Sequence, residues 1–286
     1  MICSCLMRLI LQKLFLTTIF KEDIFLDKII IFSDYGLDDA AALADIILHR
    51  DAFEKIDIVP IGGNVPTEVS LRNCLTLLGE YPYANDKITV VDTTDTKQPE
   101  EYLKEIHGND GMGDVFEAGA KPEVKYEEFD EWLKTLSGDE LVLSLGPMTM
   151  VKKLFEYKDT FRLVIMGGSI EAEPNFKGFE FNQSLDKEAF AYCTKFPHTA
   201  ITLDASFTPA LNIKDIHING EGVYSQILNA CQRISRERNT DGCYVWDDIA
   251  ACFILHPERF KVSKKRDSAG NILNVAEYIS DLKHFE

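Results

Sequence analysis

Continuous apolar runs of four to six residues, each followed by a helical stretch, constrain this chain more than any other feature. They fall at residues 28–33 (KIIIFS), 56–61 (IDIVPI), 88–92 (ITVVD), 140–145 (ELVLSL), 162–166 (RLVIM) and 199–203 (TAITL). A strand that is apolar on both sides is buried on both faces, which is the signature of a parallel sheet between two helical layers. The intervening stretches 38–49, 67–79, 127–136, 149–157 and 185–196 read as helices, with Leu71, Leu75 and Leu78 on one helical face. Beyond residue 219 the pattern is mainly helical to about residue 259, and 261–286 reads as a short hairpin or edge strands. The expected fold is therefore α/β: an open, mostly parallel, Rossmann-like sheet with helices on both faces. Ligands of such sheets bind outside the carboxyl ends of the strands.

The residues that carry chemistry fall at those strand ends. Residues 32–43 read FSDYGLDDAAAL, with Asp34, Asp38 and Asp39 within six positions. Like charges this close repel, and a bound divalent cation resolves the repulsion, because hard cations take carboxylate and carbonyl oxygens. The alternative is that Asp38 or Asp39 caps the following helix while the other carboxylates face water. Further strand ends carry Gly62-Gly63-Asn64, Leu145-Gly146-Pro147, Gly167-Gly168 and Asp204. No Cys/His cluster has zinc spacing, and there is no P-loop or G-x-G-x-x-G fingerprint. Phe32 stands where aspartyl phosphatases carry their nucleophile, which removes that chemistry.

Composition bounds the rest. A net charge of −17 argues against a phosphate-binding surface, so no nucleic-acid partner is expected. Seven scattered cysteines without a C-x-x-C pair suit free thiols and a cytoplasmic setting. Residues 1–26 stand apart as an extension, either helical or upstream of the true start. Their apolar stretch, residues 10–20, is interrupted by Lys13 and is too short to span a bilayer, so no membrane association is expected. Residues 27–286 form the expected single domain.

These motifs, in this order, resemble the inosine-uridine-preferring nucleoside hydrolases. FSDYGLDDA is similar to the family opening D-x-D-x-G-x-D-D-A, and GGNV (62–65) to its A-G-N-V segment. IHGNDGMG (106–113) resembles its H-G-x-x-G-x-G loop, and LGPMT (145–149) its T-G-P-L-T. MGG (166–168), EFN (180–182), Leu203-Asp204 and WDDIAACFILHPERF (246–260) complete the set. The resemblance implies hydrolysis of the N-glycosidic bond of ribonucleosides around a bound Ca²⁺, as in nucleoside salvage, by a homo-oligomer. Carried over by position, Asp34, Asp39, Asp247 and the backbone carbonyl of Leu145 hold the cation, and Asp34 is the general base. Asp38, Asn64, Asn175, Glu180 and Asn182 match ribose contacts, with one residue fewer between Asn175 and Glu180 than the family usually has. His107 is placed on the base side or at the pocket rim.

Four positions depart from the family pattern. Phe32 replaces its first aspartate, Tyr35 its proline, Met150 an asparagine, and Trp246 the histidine before the late metal-binding aspartate. Tryptophan has no transferable proton at neutral pH but can stack on a purine, so the resemblance leans towards purine nucleosides. Tyr244, Phe179 and Phe207 are the candidate second aromatics, since Trp132 lies on a helix away from the loops. The departures keep two other expectations open: a nucleoside-binding relative with weak or no turnover, and a hydrolase of another ribosyl compound such as nicotinamide riboside.

Overall fold

The computed structural model describes residues 26–116 and 122–280. Of the expected extension at residues 1–26, only Leu26 falls within the described residues, where it begins the first strand. Among the described residues the sheet has nine strands, β1 (Leu26–Ser33), β2 (Phe53–Pro60), β3 (Ile88–Asp92), β4 (Lys125–Glu128), β5 (Leu141–Ser144), β6 (Arg162–Met166), β7 (His198–Ile201), β8 (Phe260–Arg266) and β9 (Ile272–Tyr278). They lie in the order β4-β3-β2-β1-β5-β6-β7-β9-β8, parallel throughout except for the antiparallel pair β8–β9. The expected terminal hairpin is thus present, and its second strand extends the main sheet at β7.

The two faces of the sheet follow from the period of two along a strand. Ile29 and Ile31 of β1 belong to one buried cluster, and Ile30 and Phe32 to another on the opposite face. The first face is covered by α1 (Leu37–Leu48), α2 (Thr67–Gly79), α8 (Val223–Glu237) and α9 (Trp246–Leu255). The second is covered by α4 (Phe129–Leu133), α5 (Thr149–Tyr157) and α7 (Lys187–Cys193). Short helices α3 (Lys104–His107) and α6 (Phe181–Leu185) lie in the loops at the carboxyl ends. Helices α1 and α9 pack together. Their buried alanines, Ala40, Ala41, Ala44, Ala250 and Ala251, allow that approach, since small side chains shorten the distance between helix axes.

Two expected elements differ. The helix expected over 127–136 begins only at Phe129, because Tyr126 and Glu127 pair with Val90 and Val91 as edge strand β4. Its sequence, KYEE, is polar, as suits an edge that faces water. The helix expected over 185–196 is α7 alone, started by Asp186, whose carboxylate accepts the Ala189 N–H at 2.9 Å.

The departures Phe32 and Met150 are both fully buried in the cluster on the second face. Two polar residues of the family pattern are thus replaced by apolar ones within one apolar cluster, so neither leaves a buried polar group without a partner. Strand β1 is central. The chain leaves it towards β2 on one side and reaches β5 on the other, so the crevice at the carboxyl ends of β1 and β5 is the topological switch point.

Candidate functional site

Two helix N-termini meet at that crevice. Asp38 and Asp39 lie in the first turn of α1, and Asp247 and Asp248 in the first turn of α9. Each helix end carries partial positive charge and so favours carboxylates. Carboxylate oxygens of Asp38, Asp39 and Asp247 lie within 4.8 Å of one another. Asp39 and Asp247 are buried, and Asp247 follows the first residue of α9 rather than capping it. Asp39 accepts Ser33 Oγ–H at 2.8 Å and Gly36 N–H at 2.9 Å, so it both closes the turn and faces the cluster.

Asp34 stands at the end of β1 with no exposed surface. Both its oxygens are occupied by Asn64, one by the backbone N–H at 2.8 Å and one by the side-chain amide at 3.0 Å. Gly63 and Gly146 make room for it. A Cβ at Gly63 would lie 1.9 Å from Asp34 Oδ2, and one at Gly146 would lie 2.9 Å from its Cγ. These close approaches explain why G-G-N follows β2 and L-G-P follows β5.

Burial raises the Asp34 and Asp247 carboxyls well above their ordinary range, with the Asp39 charge adding to it. Burial raises Asp39 too, although its hydrogen bonds oppose the shift. Asp38 is pushed up to about 7, by burial first and then by Asp39. Among the described residues no Lys, Arg or His forms an ion pair with any of the four. Asp247 Oδ1 is buried without a hydrogen-bond partner. Four carboxyls, no countercharge and one orphaned oxygen make a donor set of hard oxygens that fits a divalent cation.

The cluster lines a cavity of about 260 Å³. Its walls hold Asp38, Asn64, Leu145, Asp247, Asn175, Glu180 and Asn182. Asn182 donates its amide to the carbonyl oxygens of Leu145 at 2.8 Å and Met166 at 3.2 Å, so its own side-chain oxygen is the acceptor left for a ligand. The Leu145 carbonyl keeps a second lone pair. Glu180 is buried, not a solvated loop residue, and caps α6 by accepting the N–H groups of Asn182 and Gln183, each at 2.9 Å. Burial still pushes its carboxyl up to about 7.

His107 and Trp246 close the cavity on the side of α8. His107 comes from a loop knotted by its own carboxylates. Asp114 accepts from Asn109 N–H and Asp110 N–H, while Asp110 accepts from Met112 N–H and Asp114 N–H. The His107 ring accepts Leu37 N–H on Nδ1 at 3.0 Å. Burial, with a contribution from nearby Arg238, lowers its pKa to about 4 and keeps it neutral. Trp246 is half-buried and stands 5.8 Å from the Tyr244 ring, centroid to centroid, at 37°. Tyr244 is therefore the aromatic neighbour on this side. Phe207 is exposed, and Trp132 lies at the far end of the sheet.

All eleven residues singled out from the sequence lie on this cavity or, as Asp34 and Asp39 do, against its carboxylate floor. Sequence reasoning passed over Ser33, which braces Asp39, and Arg238, which lines the cavity beside His107. Tyr35 has a φ of 48°, which a proline could not adopt. The tyrosine in place of the family's proline thus belongs to a turn of different backbone conformation.

The model of the inosine-uridine preferring nucleoside hydrolase family matches residues 29–277. A probable uridine nucleosidase 1 of Oryza sativa subsp. japonica is 23% identical over 264 residues, 85% of this chain and 81% of that protein. The non-specific ribonucleoside hydrolase RihC of Klebsiella pneumoniae (strain 342) is 30% identical over 172 residues, 57% of this chain and 56% of that protein. Among solved structures, a purine-preferring ribonucleoside hydrolase from Gardnerella vaginalis superposes with a TM-score of 0.66 at 21% identity, over 91% of this chain and 95% of that one. An inosine-guanosine nucleoside hydrolase gives 0.66 at 19% identity, over 88% and 87%, and at this identity both structures speak for the fold alone. The chain belongs to the inosine-uridine preferring nucleoside hydrolase family of N-ribohydrolases.

Proposed function

We propose that this chain hydrolyses the N-glycosidic bond of ribonucleosides, releasing ribose and free base, with Ca²⁺ held by Asp34, Asp39, Asp247 and the Leu145 carbonyl. One observation carries the reading: buried carboxylates without a cationic partner form the floor of a cleft whose other end is aromatic. Lewis acidity that acidifies a water and holds ribose hydroxyls is the chemistry the bound cation supplies.

Asp34 is the general base. Asn64 holds both its oxygens and so fixes their direction. Asp38, Asn64, Asn175, Glu180 and Asn182 present polar groups around the space for a ribose. As the bond to the base lengthens, positive charge develops on the sugar, and the carboxylate-lined wall stabilises it. Trp246 and Tyr244 offer a stacking face for the base, which supports the lean towards purines.

Reducing-sugar release from a panel of purine and pyrimidine ribonucleosides, with Ca²⁺ present, tests the reading. Release from at least one is expected, and release from none contradicts it. A second reading, nucleoside binding with little turnover, is favoured by Trp246, which cannot transfer a proton to a leaving base. Calorimetric binding of a nucleoside without ribose release would select it.

A further inference from the structure

We infer that Asp267 and Gln183 are positioning residues: through these two side chains the turn of the β8–β9 hairpin aims Glu180 and Asn182 into the cleft. The inference rests on the proposed hydrolase reading, and it makes the last two strands of the sheet part of the ribose wall.

The helix that carries these groups is too short to hold its own direction. α6 has five residues, and a helix of that length is not stable by itself. Its aim comes from bonds to the rest of the fold. Successive side chains on a helix project about 100° apart. Asn182 therefore reaches one way, to the carbonyls of Leu145 and Met166, and Gln183 reaches another. Gln183 Nε2 donates to Asp267 Oδ2 at 2.7 Å, across 84 positions of sequence, and both residues are buried. Together these bonds fix the rotation of α6 about its own axis. With it they fix the Glu180 carboxylate, which accepts N–H groups of Asn182 and Gln183 within α6 and that of Gly168 at 3.2 Å.

The hairpin turn is closed without Gln183. Asp267 Oδ1 accepts the N–H groups of Ala269 at 3.0 Å and Asn271 at 2.7 Å, and Oδ2 accepts the Asn271 amide at 2.8 Å. Ser268 docks the turn on the loop after β6, donating its N–H to the Ser169 carbonyl at 2.9 Å. The bond from Gln183 is thus an addition to a finished turn, and it is the one that reaches α6. Among the described residues none of the hairpin lines the cleft, so its influence on a ligand passes through Gln183.

Gln183 is poorly suited to a purely structural part. Its Oε1 is buried without a hydrogen-bond partner, and the residue does not line the cleft. A buried unpaired carbonyl costs stability, and an apolar side chain of equal length would fill the space without that cost. Only the donor to Asp267 would be missing. Stability alone does not call for glutamine here, whereas the direction of α6 does.

Steady-state ribose release from inosine, adenosine and uridine, with Ca²⁺ present, tests the inference in wild type, Gln183→Met, Asp267→Ala and the double variant. Gln183→Met keeps the length and loses the donor, so its melting temperature should stay within about 3 °C of wild type. Its KM should nevertheless rise about tenfold, the effect of one lost hydrogen bond to a charged group, with kcat changed by less than about threefold. Competitive inhibition by free ribose should weaken in parallel. Because Asp267 acts through Gln183, the double variant should have the KM of Asp267→Ala alone. Unchanged KM and ribose inhibition in Gln183→Met, or a double variant in which the two effects multiply, overturns the inference and leaves the hydrolase reading intact. Calorimetric titration with ribose makes the same comparison without turnover. If wild type binds ribose but cleaves none of the three nucleosides, the hydrolase reading fails, and equal ribose affinity in Gln183→Met would still overturn the inference. Neither binding nor cleavage by wild type overturns both.

Discussion

The two ends of the sheet bury aspartates in opposite ways. At the amino end, Asp57 of β2 is buried, yet Lys28 Nζ lies 2.6 Å away and Trp132 Nε1–H donates to it at 2.5 Å. At the carboxyl end, Asp34, Asp39 and Asp247 are equally buried, and their partners are only neutral donors or other carboxylates. An unpaired buried charge costs far more than a paired one. Asp57 is therefore paired within the chain, whereas the other three have no cationic partner there. Burial alone does not mark a functional carboxylate; burial without a partner does.

That contrast can be broken from either end. The largest effect is expected at Asp34. Asp34→Asn keeps the shape but removes the base and one of the two acceptors that Asn64 donates to, and ribose release should fall by about 10²–10⁴-fold in a steady-state assay. At the other end, Asp57→Ala should leave ribose release unchanged while costing about 1–3 kcal/mol of stability by denaturant titration, because Trp132 Nε1 and Lys28 lose their acceptor. A loss of activity in Asp57→Ala without a loss of stability would erase the distinction between the ends.

The carboxyl end should also carry its own pH signature once cations are removed. Glu180 and Asp38 have ordinary values of 4.5 and 3.8 and are each pushed up to about 7 in the folded chain by burial. A raised carboxyl stabilises the fold below its ordinary pKa, and that stability is lost as pH rises through the folded value. Buried His107, lowered to about 4, and His198, also lowered by burial, oppose this over the same interval, but the raised carboxyls outnumber them. The chelator-treated protein should therefore melt higher at pH 5 than at pH 7.5, by about a few degrees, and added Ca²⁺ should raise the pH 7.5 value. A chelated protein that melts higher at pH 7.5 would contradict this.

A smaller effect is expected at Asp204, which accepts the backbone N–H groups of Ile170, Glu171 and Ala172 at 2.8, 2.7 and 3.1 Å. Those bonds hold the start of the segment that carries Asn175 to the cleft. Asp204→Ala should raise KM about tenfold and change kcat less, because a loosened loop weakens ribose binding more than the chemistry. Equal falls in kcat and kcat/KM would place Asp204 in the chemical step instead.

Much of this was legible in the sequence because each motif follows a strand, and a parallel sheet brings strand ends together. Asp34, Asn64 and Leu145 are far apart in the chain yet meet for that reason, and Asp247 joins them from the first turn of α9, a helix packed against α1. Edge strand β4 was not legible, since its polar KYEE stretch has no apolar pattern and is fixed by pairing with β3. Arg238 was not legible either. Three arginines follow one another in QRISRER, and only the packing of α8 shows which of them is left facing the cleft. The second role of Glu180, as the cap of α6, likewise depends on where the chain turns after residue 179. Phe32 and Met150 were read singly as departures, and their shared apolar cluster is visible only in three dimensions.

The central claim is that the unpaired carboxylates serve catalysis by holding a cation. It is tested most directly by ribose release from a cleaved ribonucleoside, using chelator-stripped protein before and after Ca²⁺ is returned. Loss of at least about a hundredfold on stripping, recovered on Ca²⁺ addition in wild type but not in Asp247→Asn, is the predicted result. Full activity in the stripped protein would contradict it.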